Sequence, residues 1–197
     1  MATSIEIEAK VLITRPEYTR LLNGLRANVT REFYQMNYFI ETENFDLRKS
    51  GIGLRIRNVN GEYIMTLKAP MSEGLLEKHC TVSLQEYNDF KTKKIFPDND
   101  ICEFIKMLGF DPTVLSIVAT LDTYRVETNY GKEDYLFSID KNEYNGLIDY
   151  ELEMAGNNLQ TAESQLKSIC EEFGIKYVRN LKSKTTRALE TLDKAEL

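Results

Sequence analysis

Two Asn-Gly dipeptides constrain the fold of this chain more than any other feature. Asn60-Gly61 separates residues 53–59 from 62–69, and Asn145-Gly146 separates residues 133–144 from 147–154. Asn-Gly favours the two-residue turn of a β-hairpin, because both turn positions require a positive φ. Each dipeptide therefore predicts a tight antiparallel hairpin and fixes which residues lie opposite one another across it.

The rest of the chain predicts an α+β fold. Residues 4–12 alternate apolar and charged side chains, as a half-buried strand does. Other strands are expected at 29–42, 74–82 and 116–130, which makes about eight in all. Helices are expected at 15–27, 84–93, 100–108, 158–173 and 181–192, from capping residues and apolar stripes. We expect one domain over residues 1–192, a tail at 193–197, and a mainly antiparallel sheet with helices packed outside it.

The first hairpin gathers basic side chains on one face. Counting back from its turn, Arg55 opposes Thr66 and Gly53 opposes Lys68. Opposed residues share a sheet face, and so do residues two apart on one strand, so Arg57 joins Arg55 and Lys68. Like charges on neighbouring strands repel each other, whereas a bound polyanion would hold them together. Arginine suits phosphate because its planar fork binds two oxygens at once.

The second hairpin gathers acidic side chains in the same way. Asp140 opposes Glu151 and Ser138 opposes Glu153, so the three carboxylates share a face. Clustered carboxylate oxygens are typical ligands of a divalent cation. If Gly131-Lys132 is also a two-residue loop, Arg125 opposes Ser138 and lies on the acidic face.

Alternative explanations and whole-chain properties set limits on these hypotheses. A single strand with alternating charges is most often a solvated face, but segregated signs on several strands argue against that explanation. His79, the one histidine, has no partner at metal-ligand spacing and is expected to be an ordinary strand residue.

The net charge of −6 argues against a nucleic-acid partner. No apolar run approaches the ~20 residues that a membrane span requires. Cys80, Cys102 and Cys170 have no paired spacing, which predicts free thiols in the cytoplasm.

Six short motifs follow one another along the chain. They are Glu6-Ile7-Glu8-Ala9-Lys10, Gln35-Met36-Asn37-Tyr38-Phe39, Leu54-Arg55-Ile56-Arg57, Thr66-Leu67-Lys68, Asp140 followed by Glu151-Leu152-Glu153, and Ser183-Lys184-Thr185-Thr186-Arg187. Together they resemble the CYTH superfamily, whose members are also called triphosphate tunnel metalloenzymes.

This resemblance implies an eight-stranded antiparallel barrel around a charged tunnel, and hydrolysis of a triphosphate with Mg²⁺ or Mn²⁺. It implies phosphate binding by Lys10, Arg55, Arg57, Lys68, Arg125, Lys184 and Arg187; metal binding by Asp140, Glu151, Glu153, Glu6 and Glu8; and catalysis by Glu6, Glu8 and Lys10. Glu77 and Tyr38 are further candidates. Two other functions stay open, namely cyclisation of ATP to cyclic AMP and binding of a triphosphate or polyphosphate without turnover. The organic part of the substrate and the oligomeric state do not follow from the sequence.

Overall fold

The computed structural model describes residues 2–72, 75–131 and 135–192, with the backbone alone for residues 2–6. Its strands are β1 (Ala2–Glu6), β2 (Glu8–Ile13), β3 (Val29–Glu41), β4 (Gly53–Val59), β5 (Glu62–Pro70), β6 (Leu75–Val82), β7 (Ser116–Tyr130), β8 (Tyr135–Tyr144) and β9 (Leu147–Ala155). Its helices are α1 (Arg15–Gly24), α2 (Asp46–Lys49), α3 (Leu84–Lys93), α4 (Asp100–Met107), α5 (Leu159–Glu172) and α6 (Lys184–Leu192). The predicted tail at 193–197 lies outside the described residues.

The chain forms two compact units. The described part of the first comprises residues 2–6, 35–72, 75–121 and 185–192, and that of the second comprises 7–34, 122–131 and 135–184. Strands that lie wholly or mainly in the first unit follow the order β1-β6-β5-β4-β3, and those wholly or mainly in the second follow β7-β8-β9-β2. The pairings within these two orders are antiparallel wherever the structure gives their register. An antiparallel sheet with flanking helices confirms the predicted α+β class.

The predicted strand at 4–12 is interrupted at Ile7. Before it, β1 pairs with β6 in the first unit; after it, β2 pairs with β9 in the second. The carbonyl of Ile7 accepts a hydrogen bond from the Gly156 amide at 3.0 Å. If β1 and β2 are counted as the one strand predicted, the described ranges contain the expected eight strands.

Both Asn-Gly turns form as the sequence predicts. Asn60 and Gly61 have φ values of 52° and 87°, and Asn145 and Gly146 have 47° and 75°. Across the first turn Val59 pairs with Glu62, and across the second Tyr144 pairs with Leu147. The two hairpins therefore have the predicted registers.

Each unit has its own apolar core on one face of its strands. In the first, the core includes Leu54, Ile56, Met65 and Leu67 of the hairpin with Phe90 of α3 and Ile101 of α4. In the second, it includes Ile139, Leu152 and Met154 with Leu21 of α1 and Leu166 of α5. Since side chains alternate along a strand, the charged residues of both hairpins point to the face opposite the core.

The structure agrees with the prediction of free thiols. Cys80, Cys102 and Cys170 are free, the last two buried. Within the described residues, each helix is too short or too polar to cross a bilayer.

The short helix α2 was not predicted from the sequence. It lies directly after β3, where the carboxylate of buried Glu41 accepts hydrogen bonds from the amides of Leu47 and Arg48.

Candidate phosphate and cation sites

The acid cluster, defined here as Asp140, Glu151 and Glu153, lies in the second unit. Asp140 pairs with Glu151 across the β8–β9 hairpin, as predicted. Asp140 and Glu151 are 0% exposed and Glu153 is 8% exposed. One carboxylate oxygen from each lies within 4.8 Å of the others. A solvated charged face is therefore excluded for these residues, because unpaired buried carboxylates would carry a large desolvation cost.

Arg125 compensates part of this negative charge. Its Nε and Nη2 atoms donate to the two oxygens of Asp140 at 2.8 and 2.7 Å, and Nη2 also donates to Glu153 at 2.5 Å. Burial by itself would lower the pKa of Arg125, but attraction to Asp140 and Glu153 outweighs it and raises that pKa. Arg125 therefore remains a cation that is shared between two carboxylates.

The predicted register of Arg125 is wrong by two residues. Arg125 pairs with Asp140 rather than with Ser138, because Tyr130 pairs with Tyr135 and the intervening loop is longer than two residues. A shift of two residues leaves a side chain on the same sheet face. The predicted face of Arg125 is thus correct although the predicted partner is not.

Lys184 also lies in the acid cluster. Its Nζ atom is 2.8 Å from Asp140, 2.6 Å from Glu151 and 2.5 Å from Glu153. Burial alone would lower the pKa of Lys184, yet attraction to the three carboxylates raises it. For Glu153, burial raises the pKa and the charges of Lys184 and Arg125 lower it, with a net pKa well below the usual range. Asp140, Glu151 and Glu153 are therefore joined to Arg125 and Lys184 in one network of ion pairs.

Two further residues of the second unit lie beside the acid cluster. Lys10 pairs with Glu153 across β2 and β9, and its ammonium binds the carboxylate of Glu8. Burial would lower the pKa of Lys10, but Glu8 and Glu153 raise it. Asn180, which the sequence did not suggest, donates to Glu151 Oε1 at 2.7 Å. The side chain of Glu6, predicted beside Glu8, lies outside the described residues.

The basic row, defined here as Arg55, Arg57 and Lys68, lies in the first unit. Gly53 pairs with Lys68 and Arg55 with Thr66, so the three cations share one face as predicted. All three are half-buried. The row is therefore neither a fully solvated surface nor part of the apolar core.

Glu77 lies next to the basic row on β6. It pairs with Lys68, and its Oε1 atom is 2.6 Å from the Lys68 ammonium. Its Oε2 atom is 3.3 Å from Nε2 of His79, whose Nδ1 is 3.1 Å from the Thr66 hydroxyl. Burial raises the pKa of Glu77, but Lys68, Arg55 and His79 outweigh burial and lower that pKa. One carboxylate thus offsets part of the repulsion within the row.

We expect Glu77→Gln to destabilise the protein at neutral pH more than at acid pH. The folded pKa of Glu77 lies below its unfolded value, so its contribution is present above that value, about 4.3, and is lost as pH falls through the folded pKa. At pH 7 the variant should lose roughly 1–3 kcal/mol of unfolding free energy, as for a charged hydrogen bond. Urea unfolding at pH 7 and pH 3 measures both values. The exposed Glu62 provides a control, and an equal loss at both pH values would contradict the expectation.

Asn37, rather than Tyr38, lies on the face of the basic row. Asn37 pairs with Arg57, is 2% exposed, and accepts a hydrogen bond from Arg57 Nε at 3.0 Å. Tyr38 packs in the apolar core, with its ring 4.9 Å from that of Tyr87. The structure therefore does not bring Tyr38 to the basic row, because neighbouring residues of a strand point to opposite faces. Extending the hairpin register to β3 is the signal that could have identified Asn37.

Arg187 is buried in the part of α6 that belongs to the first unit. Its predicted phosphate role stays a prediction.

Comparison with known proteins places these residues in a family. Residues 4–188 match the model of the CYTH domain. The chain belongs to the CYTH domain family. Its relatives include a Bacillus subtilis protein named "Putative triphosphatase YjbK", 29% identical over 190 residues, with 96% of this chain and 97% of that protein covered.

Solved structures resemble this CYTH domain over nearly its full length. A crystal structure from Bacillus halodurans, named a "putative adenylate cyclase", is 31% identical with a TM-score of 0.86 and covers 95% of this chain and 98% of that one. The Hippeastrum protein HpAC1 is 21% identical with a TM-score of 0.77, covers 98% and 96%, and is described as having a dominant triphosphatase activity. These likenesses confirm the predicted CYTH fold class, and closure of the sheet into a barrel around a tunnel stays a prediction.

The acid cluster of the CYTH domain fits a divalent cation by its own chemistry. Its three carboxylates supply hard oxygen donors, which suit Mg²⁺ and Mn²⁺. The Lys184 ammonium, 2.8 Å or less from each residue, shows that a positive charge is accommodated at that point.

Proposed function

We propose that this CYTH domain hydrolyses a triphosphate with the help of Mg²⁺ or Mn²⁺. The observation that carries the proposal is the burial of three carboxylates on one face of the second hairpin, in a chain whose first hairpin turns a basic row away from its core. Burying such charges costs desolvation free energy, and buried charged groups of this kind are concentrated at functional sites. Relatives named for triphosphatase or cyclase activity support an enzyme of this class.

Each group has a stated role in the proposal. Arg55, Arg57 and Lys68 would hold phosphate oxygens and neutralise negative charge as it develops in the transition state. Asp140, Glu151 and Glu153 would hold the cation, with Glu8 as a candidate for a second one. A bound cation would polarise a phosphoryl oxygen.

In the reaction itself, water attacks the terminal phosphorus, the bond from that phosphorus to its bridging oxygen breaks, and orthophosphate leaves the remaining diphosphate. Glu8 and Lys10, which bind one another on β2, are candidates for orienting the attacking water. Glu6 is a third candidate by its place in the sequence motif. Arg125, bound to two carboxylates, is proposed to keep the acid cluster in place as well as to attract phosphate.

The test is a product assay with a panel of triphosphates. Inorganic triphosphate, ATP, GTP and thiamine triphosphate would be incubated with Mg²⁺ or Mn²⁺, and orthophosphate, pyrophosphate and cyclic AMP measured. We expect orthophosphate release that stops when the cation is chelated. Cyclic AMP and pyrophosphate from ATP would instead establish the cyclase, which the name of the Bacillus halodurans protein keeps as a second candidate. Tight binding without any product would establish a binding module.

A further inference from the structure

The Lys184 ammonium occupies the middle of the acid cluster. Its three contacts reach Oδ2 of Asp140, Oε2 of Glu151 and Oε1 of Glu153. An ammonium group donates three hydrogen bonds, so each carboxylate can receive one of them. The side chain of Lys184 is 11% exposed, and the two more buried carboxylates are 0% exposed. This arrangement is a complete site for a monovalent positive group.

We infer that the Lys184 ammonium competes with the divalent cation: it holds the three carboxylates together before the cation binds and leaves them when the cation enters. The inference rests on the proposed cation site. It assigns to Lys184 a role in the metal-free protein that its predicted phosphate contact does not include.

The other groups around the cluster do not compete in this way. Arg125 binds Asp140 and Glu153 and is anchored inside β7. Asn180 donates to Oε1 of Glu151, whereas the Lys184 ammonium contacts Oε2. These two residues can orient the carboxylates while a cation is bound. Lys184, in contrast, reaches all three carboxylates.

Electrostatic repulsion between the two cations favours the exchange. A divalent cation held by the same oxygens would lie a few ångströms from the ammonium, and repulsion between like charges is strong where water is excluded. Lys184 is the first residue of α6 and has a flexible four-carbon stem, so its charged end can move without unfolding a strand. The displaced ammonium could then bind an anion, in line with the phosphate role that the sequence resemblance implies for Lys184. Cation binding would therefore precede and promote binding of the triphosphate.

Direct cation binding tests the competition. Mn²⁺ affinity would be measured by calorimetry, without phosphate, for the wild type and for Lys184→Met, which keeps most of the length of the side chain and removes its charge. We expect Lys184→Met to bind Mn²⁺ at least about tenfold more tightly, the scale of one charged hydrogen bond that no longer has to be broken. Lys176→Met, at an exposed position of the same unit, should match the wild type. Equal affinity in Lys184→Met would overturn the inference and leave the proposed function standing.

A second measurement uses the unaltered protein, in case Lys184→Met folds poorly. Ammonium groups held by carboxylates exchange their protons slowly enough to be followed by ¹⁵N-detected NMR. The Lys184 signal, identified by its loss in Lys184→Arg, should shift or disappear as Mg²⁺ is added in equimolar amount. A Lys184 signal that persists unchanged at saturating Mg²⁺ would overturn the inference. If neither Mg²⁺ nor Mn²⁺ binds at all, the proposed cation site itself fails, and the inference fails with it.

Discussion

Replacing Arg57 with alanine is expected to reduce kcat/KM for triphosphate hydrolysis more than any other single change in the basic row. Arg57 is half-buried, and Asn37 holds its Nε atom at 3.0 Å, so the planar end of its side chain is oriented. Arg57→Lys keeps the charge but loses the fork, and should cost about 1–3 kcal/mol of transition-state stabilisation. Arg57→Ala should cost more. Steady-state kinetics gives both values.

Controls separate this effect from a general loss of positive charge. Arg26→Lys and Arg26→Ala change an exposed arginine and should leave kcat/KM unaltered. Tripolyphosphate should bind the wild type more tightly than orthophosphate by calorimetry, because a longer anion can reach more than one cation of the row. Full activity in Arg57→Ala, or equal affinity for the two anions, would show that the row is only a basic surface.

Asp140→Asn is expected to have the largest effect on stability. Asp140 is fully buried and accepts hydrogen bonds from Arg125 at 2.8 and 2.7 Å, with the Lys184 ammonium at 2.8 Å. Breaking a buried ion pair by removing one partner typically costs about 3–5 kcal/mol, since the remaining charges stay buried. Urea unfolding should show a loss of that order. Mn²⁺ should raise the melting temperature of the wild type but not that of Asp140→Asn.

Asp122→Asn is the matched control for Asp140→Asn. Asp122 lies on β7, pairs with Glu143 and is exposed, so neutralising it should not lower the unfolding free energy. If Asp140→Asn unfolds at the same urea concentration as the wild type, the network of ion pairs does not stabilise the second unit.

The sequence predicted the registers of the two Asn-Gly hairpins correctly, but it did not predict every cross-strand partner or every sheet face. Asn-Gly turns have one favoured geometry, so both hairpins and the faces of Arg55, Lys68, Asp140 and Glu151 could be derived by counting. The loop after Tyr130 carries no such signal, and the partner of Arg125 was therefore missed by two residues. Tyr38 was predicted from a sequence motif, and a motif does not specify on which face of the sheet a residue lies.

The contacts within each site depend on tertiary structure that local patterns do not contain. Lys184 and Asn180 are distant in sequence from Glu151, and no period or turn motif indicates that all three would meet. Clustered carboxylates alone suggested mutual repulsion that a cation would relieve. In the folded chain, Arg125 and Lys184 already relieve much of it.

The position of β2 also affects how the protein is made. β2 ends at Ile13, but its partner β9 begins only at Leu147, so most of the chain must leave the ribosome before β2 has a neighbour. During that time its backbone is an open edge on which another nascent chain could pair. In a parallel, in-register pair of identical strands Glu8 would face Glu8 and Lys10 would face Lys10, so these charges oppose that pairing. Residues proposed to serve the reaction would thus also protect the unfinished polypeptide from aggregation.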